Sequence, residues 1–362
     1  MYTQKIHFIN RIADDNAGDV VCSPLWYYYD FFKDYNIIRH DIDSINWIEI
    51  SSHDVVIVGG GGMLYVTESF NENLNRLLDI CPTVIAWGVG FNTHHDNPIL
   101  TPIDTNRFKL IGIRDYAHSS GLDYLPCVSC NAIELDNNLE LRRRIGIIDH
   151  RYVPVSHDIP GERIDNGENF RSITDFIASS EIIMSSSYHV VFWATLMNKK
   201  VICANAFSTK FDYFKYKPVF CSGDLEFDIA KTKVFPNALQ EARNLNNDFF
   251  EKVKKIIQMV IPSADKRYQY IYDMTFPAFN RREIHGLKAE YYGWDTKDDV
   301  ALLCEDVALL CEKWSIYWQY YRYKILSMFT FGKKRKHYKA KRDSFHLKVR
   351  KIRELYKRIR VS

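Results

Sequence analysis

Val55–Val66, VVIVGGGGMLYV, joins four consecutive β-branched residues to four consecutive glycines. An apolar run of this kind, without polar alternation, predicts a strand buried on both faces, as in a parallel sheet covered by helices. A polar stretch follows, Glu68–Ile80, with Leu74, Leu77 and Leu78 on one face, which predicts a covering helix. Thr83–Trp87 (TVIAW) reads as a second strand running into Gly88 and Gly90, and Lys109–Ile113 as a third ending at Arg114 and Asp115. Alternating strands and helices predict an α/β fold. Open parallel sheets bind ligands beyond the carboxyl ends of their strands, which is where the polar motifs of this chain fall.

The polar passage Leu135–Gly146 (LDNNLELRRRIG) reads as a link to a second unit in which the alternation resumes. Strands are expected at Arg151–Val155, Glu181–Met184 and Val201–Ala204, with helices at Ser172–Ser179 and Val190–Met197. Helices are expected again at Asn237–Val260 and Ser263–Met274. Residues 299–312 duplicate the heptad DVALLCE, placing Val300, Leu303, Val307 and Leu310 on one stripe. Two heptads fit a helix docked on the body or a short homodimer seam.

The chain has 362 residues, 46% apolar and 26% charged, which excludes a disordered or low-complexity class. No apolar run approaches the roughly 20 residues that span a bilayer, and the first residues lack the apolar core of a signal peptide, so a cytoplasmic location is expected. Eight scattered cysteines without secretory context read as reduced thiols. Cys127 and Cys130 form one CxxC with no second pair, read as small residues in a tight turn rather than as a metal or redox site. Charge is unevenly distributed. From Gly332 to Ser362 fourteen Lys and Arg face two acids, a segment charge of +12 that leaves −9 on residues 1–331 of a chain totalling +3. Such a tail points to an anionic partner, or is a solvated basic helix or a disordered end. No nucleic-acid-binding module accompanies it.

Candidate chemistry gathers at the strand ends. Gly60, Gly61 and Gly62 either let backbone amides approach an anionic ligand or make a strand exit that only glycine can make. Arg114 can fork onto a carboxylate or phosphate while Asp115 orients it, or the two form a structural pair. His189 follows Ser185–Tyr188 at a strand-to-helix turn, where a histidine with a pKa near the working pH can exchange a proton; a structural histidine is the other reading. Lys210, in FSTKF, lies within reach of the same strand ends or is a solvated loop lysine. Asn16 and Asp19, in NAGD near the start, read as a helix cap. No metal-ligand cluster is legible.

As an ordered set, NAGD, the strand into GGGG, WGVGFN, IGIRD, the SYH step before a helix containing Trp193, and FSTKF resemble the polysaccharide pyruvyl transferase family over roughly residues 10–215. The resemblance implies two Rossmann-like domains in a GT-B-like arrangement, set at residues 1–135 and 136–298; outside the resemblance, the heptads and the charge of the tail make 299–362 a helical, basic C-terminal extension. It implies transfer of the carbon skeleton of phosphoenolpyruvate, as a pyruvate ketal, to a sugar of a cell-surface polysaccharide or its lipid-linked precursor, with no further cofactor.

By the same resemblance Arg114 holds an anionic group of the donor, His189 is the acid/base with Asp115 as a second catalytic candidate, and Lys210 completes a cationic clamp. Asn16, Asp19, Gly60, Gly61, Gly62, Gly90, Ser187 and Tyr188 complete the expected substrate site. One position departs. Much of the family has Ser-Arg-Leu-His where this chain has Ser186, Ser187, Tyr188 and His189, so Lys210, Arg163 or Arg171 must replace the arginine, or the donor differs. The basic segment 332–362 fits peripheral attachment to an anionic membrane at its inner face. Two other functions fit the sequence: a GT-B-like glycosyltransferase using a nucleotide sugar, and a non-catalytic subunit that organises glycan assembly at the membrane.

Overall fold

A computed structural model describes residues 4–12, 16–93, 100–261 and 271–273 of the chain. The heptads at 299–312 and the basic segment 332–362 lie outside the described residues, as does the expected helical extension. All described residues belong to one compact unit, Met1–Phe276.

The fold is α/β and built on two parallel sheets. In chain order its elements are β1 (Ile6–Asn10), α1 (Ala17–Val20), α2 (Pro24–Tyr27), α3 (Tyr29–Phe32), β2 (Ile37–Asp41), β3 (Val55–Val58), β4 (Gly61–Leu64), α4 (Glu68–Ile80), β5 (Val84–Phe91) and β6 (Leu110–Ile113). There follow β7 (Arg143–Asp149), β8 (Glu162–Asp165), α5 (Phe170–Ala178), β9 (Ser180–Ser185), α6 (Tyr188–Leu196), β10 (Lys200–Cys203), β11 (Val219–Phe220), α7 (Leu225–Lys231), α8 (Ala238–Val260) and β12 (Ile271–Asp273). The first sheet runs β12-β2-β1-β3-β5-β4, with β6 on the other side of β5. The second runs β11-β10-β9-β7-β8.

Each strand of the first sheet sends alternate side chains to opposite layers. Val56, Val58, Val84 and Ala86 pack against Leu74, Leu77 and Leu78 of α4. Val55, Ile57, Ile85 and Trp87 pack against Phe249, Val253 and Ile257 of α8 on the other face. Both faces of VVIV are therefore buried, which is why its polar alternation is missing. In the second sheet, Ile147, Ile182, Met184 and Ile202 make a smaller core. All nine residues of α6 are buried, so that helix is apolar on every side.

Three expectations need correction. The strand placed at Arg151–Val155 is a turn, and the true strand, β7, lies just before it, beginning within the stretch read as a link. Three arginines in a row hid it, but Arg143 packs its guanidinium 4.1 Å over Phe176 and pairs with Glu162, and Arg144 pairs with Glu226, so the charges sit at partners on the strand's margin. The helix placed at Ser263–Met274 holds a strand at Ile271–Asp273, parallel to β2. Helix α8, which the sequence assigns to the unit 136–298, covers the first sheet instead. Among the described residues no helix is long and apolar enough to cross a membrane.

Candidate functional site

A cleft of about 200 Å³ opens where the carboxyl ends of both sheets meet. Arg11 follows β1, Gly62 and Met63 lie in β4, Asn92 follows β5, and Arg114 follows β6. From the second sheet come His150, Arg151 and Tyr152 after β7, Asn166 after β8, Ser187, Tyr188 and His189 at the start of α6, and Phe207 and Lys210 after β10. Asn16, which precedes α1, and Asp19 within α1 line it as well. Direct bonds tie the two sides together: Ser208 donates to Asn92 Oδ1 at 2.9 Å, Thr209 N to Thr93 O at 3.1 Å, and Ala17 N to Asn166 O at 3.1 Å.

Asn16 caps α1, its Oδ1 accepting from Gly18 N at 3.1 Å while its Nδ2 donates to Asp19 Oδ2 at 3.2 Å. The cap turns Gly18 against the His189 ring so closely that a Cβ there would stand 2.1 Å from Nδ1.

Arg114 lies at the centre. Its guanidinium is 3.9 Å above the Tyr188 ring, its Nη1 donates toward His189 Nε2 at 3.4 Å, and its Nε has no partner although the residue is only 3% exposed. Gly90 makes room for it, since a Cβ there would come within 2.4 Å of Nε. No ion pair holds this guanidinium among the described residues. Because Arg114 donates to Nε2, the neutral imidazole of His189 is assigned its proton on Nδ1.

Burial pushes the His189 pKa well below its ordinary 6.5, and the charges of Arg114 and Lys210 push the same way. The expectation of a pKa near the working pH is thereby corrected, for this imidazole stays neutral. Burial, then Arg114, brings the Lys210 ammonium down to about 8, partly opposed by Asp19. The lysine stands 4.5 Å from the Phe207 ring centre. Burial raises the Tyr188 phenol, which stays protonated.

Asp115 does not reach the cleft, and its expected catalytic part is corrected on that ground. It is 1% exposed and its Oδ2 accepts from Phe91 N at 2.6 Å. Burial raises its pKa to about 6, against the pull of Arg114 and that hydrogen bond. It anchors the end of β5 beside Arg114.

Nor is the glycine run an anion cradle. Gly59 N donates to Ile9 O at 2.8 Å and Gly60 N to Cys22 O at 3.0 Å, while Gly61 and Gly62 belong to β4. The glycines serve close packing: a Cβ on Gly60 would touch Cys22 and Cys127, and one on Gly62 would stand 2.8 Å from Asn92 Cβ. Gly62 alone of the three lines the cleft.

Arg163 is used elsewhere, bound to Asp149 and to the carbonyls of Val155, Ser156 and Ile159. Arg171 does not line the cleft, whereas Arg11 and Arg151 do. Sequence reading missed these two together with Asn92, His150, Tyr152, Asn166 and Phe207. The signal for Arg11, His150 and Arg151 was present, since each directly follows a strand, but it required the boundaries of β1 and β7.

Compared with family profiles and with curated proteins, the sequence matches none. Among solved structures it is similar to a functionally uncharacterized protein from Klebsiella pneumoniae, with 15% identity and a TM-score of 0.40 over 61% of this chain and 94% of that one.

Proposed function

We propose that the chain is a transferase that moves the three-carbon skeleton of phosphoenolpyruvate onto a sugar as a pyruvate ketal, with its two parallel sheets in a GT-B-like arrangement. The observation that carries this reading is Arg114, buried with an unpartnered Nε and resting on an aromatic face instead of a carboxylate. It faces a cleft whose lining also carries Lys210, Arg151, Arg11 and one carboxylate, Asp19, with Arg11 in addition 4.0 Å from Asp43. A site so charged favours a compact guest with more than one acidic group. The volume of about 200 Å³ lies below the roughly 300–1,000 Å³ of sites for larger organic ligands, which favours a three-carbon phosphate ester over a nucleotide sugar.

In this reading Arg114 grips one acidic group of the donor, and Arg151 takes the place of the arginine that Ser187 replaces. A proton adds to the methylene carbon, and a sugar oxygen bonds to the carbon bearing phosphate. A second hydroxyl of the same sugar then displaces inorganic phosphate and closes the ketal, its proton leaving with the phosphate. His189, neutral, accepts the proton of the attacking hydroxyl on Nε2 once the donor's acidic group has drawn Arg114 Nη1 away from it. Lys210, with an ammonium that titrates at about 8, supplies the proton to carbon. The acceptor is a lipid-linked saccharide, met at an anionic membrane through residues 332–362.

The test is a thermal-shift comparison of phosphoenolpyruvate with a panel of nucleotide sugars. Ligand at 100 times its Kd stabilises the fold by about 2.7 kcal/mol. The expected outcome is a shift with phosphoenolpyruvate that Arg114→Ala abolishes. A shift with a nucleotide sugar alone would replace this reading with sugar transfer, and no shift with either would favour the assembly subunit.

A further inference from the structure

The turn after β7 is tied at nearly every backbone group. His150 N donates to Ser186 Oγ at 3.2 Å, Arg151 N to Asn166 Oδ1 at 3.2 Å, Val153 N to His150 O at 3.1 Å and Val155 N to Asp149 Oδ1 at 2.8 Å. Its carbonyls are held too, Val153 O by the Ser186 hydroxyl and Pro154 O by Asn205 Nδ2 at 2.7 Å. On this rigid turn Tyr152 is 75% exposed, the most exposed aromatic among the described residues, and its ring lines the cleft.

Two more rings continue inward. The His150 ring centre is 6.0 Å from that of Tyr152 and 5.1 Å from that of Phe207, and the Lys210 ammonium lies over Phe207. One wall of the cleft is thus aromatic from the mouth to the cation, with Met63 and Val66 also lining the cavity. An exposed aromatic ring on a fixed turn at the mouth of a cleft is a recognition feature, because fixing the turn in advance lowers the ordering cost of binding.

We infer that the Tyr152 ring is a stacking platform for the pyranose ring of the acceptor, with the His150 and Phe207 rings, tilted 58° and 53° in turn, lining the way inward from it. A pyranose has one face of C–H groups and a rim of hydroxyls, so it needs a flat apolar surface with a polar group at its edge; Asn166 stands beside the turn for that edge. The assignment rests on the proposed transfer to a sugar, but the platform is testable without the donor.

The experiment is saturation-transfer NMR on the full chain with a panel of methyl hexopyranosides, alongside uridine. At least one glycoside should receive saturation through the C–H protons of a single ring face. Tyr152→Ala should weaken its binding about fivefold or more, and Tyr152→Phe should restore it, because stacking needs the ring and not the hydroxyl. The proposal is overturned if no glycoside binds, if Tyr152→Ala binds as the wild type does, or if uridine alone occupies the platform. The wild-type thermal shift with phosphoenolpyruvate, measured in parallel, separates the two readings. A shift without Tyr152-dependent glycoside binding removes the platform and keeps the donor, and the converse removes the donor and keeps the platform.

Discussion

Gly18 of α1 and His189 of α6 are in direct contact, and the gap between them holds no methyl group, since a Cβ on Gly18 would stand 2.1 Å from the imidazole Nδ1. Gly18 lies in α1, where alanine is the better helix former, so the contact and not the backbone requires glycine. The orientation of His189, and through it the direction in which Arg114 donates, thus depends on a residue remote in sequence.

Gly18→Ala should therefore act on the site without unfolding the chain. Displacing a positioned group by about 1 Å can cost about 100-fold in rate. The expected result is loss of the phosphoenolpyruvate-induced thermal shift with a ligand-free Tm within a few degrees of wild type. An unchanged shift would show that the ring position is immaterial to donor binding.

Arg114 rests on the Tyr188 ring and has an unpartnered Nε, so its planar fork, beyond its charge, is what the site presents. A lysine keeps the charge and loses both the stack and the second donor. Arg114→Lys should weaken phosphoenolpyruvate binding about tenfold or more, given roughly 1.5–3 kcal/mol for a hydrogen bond to a charged group. Gly90→Ala should imitate it by crowding Nε, while Tyr188→Leu should weaken binding less. Isothermal titration of the three variants would rank them, and equal affinity of Arg114→Lys and wild type would reduce Arg114 to a point charge.

The parallel α/β architecture was legible because the strands are buried on both faces, and an unbroken apolar run such as Val55–Val58, too short for a buried helix, fits the middle of a covered sheet. Of the site, Asn16, Asp19, Gly62, Arg114, Ser187, Tyr188, His189 and Lys210 line one cleft, and all follow or flank strand ends. What stayed hidden depended on three-dimensional detail. Arg143–Arg144 open a strand because Phe176, Glu162 and Glu226 receive their charges, and those partners are distant in sequence. The amides of Gly59 and Gly60 look available in the sequence and are taken by Ile9 and Cys22 in the fold. Local pattern locates strand ends, whereas the orientation of a side chain there is set by neighbours from another strand.

The neutral imidazole has a measurable consequence for stability. The pKa of His189 is ordinary, about 6.5, in the unfolded chain and depressed in the folded one. Below pH 6.5 the unfolded state takes up the proton first, so wild type loses stability as pH falls from 6.5 towards the depressed value. Asp115, raised to about 6, works in the opposite sense, since the folded state binds its proton more tightly between about 6 and 3.8. That contribution is shared with a His189→Gln variant and cancels in the comparison. The Tm of His189→Gln minus that of wild type should therefore grow on acidification from pH 7.5 to 5. A flat difference would mean an ordinary imidazole pKa in the folded protein and would overturn the neutral assignment at acid pH.

Lys210 supplies the matching test on the alkaline side. Burial and the charge of Arg114 bring its ammonium from 10.5 down to about 8, so at neutral pH the folded protein holds a cation that its surroundings disfavour. The unfolded chain keeps that proton up to 10.5, so this group stabilises the fold fully only above 10.5 and loses the contribution as pH falls to about 8. Lys210→Met should therefore raise the Tm of the ligand-free protein at pH 7, and the gain should shrink as pH climbs past about 8. The same variant should lose the phosphoenolpyruvate-induced shift, because the charge that strains the empty cleft attracts the donor. Stabilisation combined with loss of ligand response marks a residue kept for binding. A Tm that falls at pH 7 would instead make Lys210 a structural residue, its ammonium held over Phe207 and Phe211.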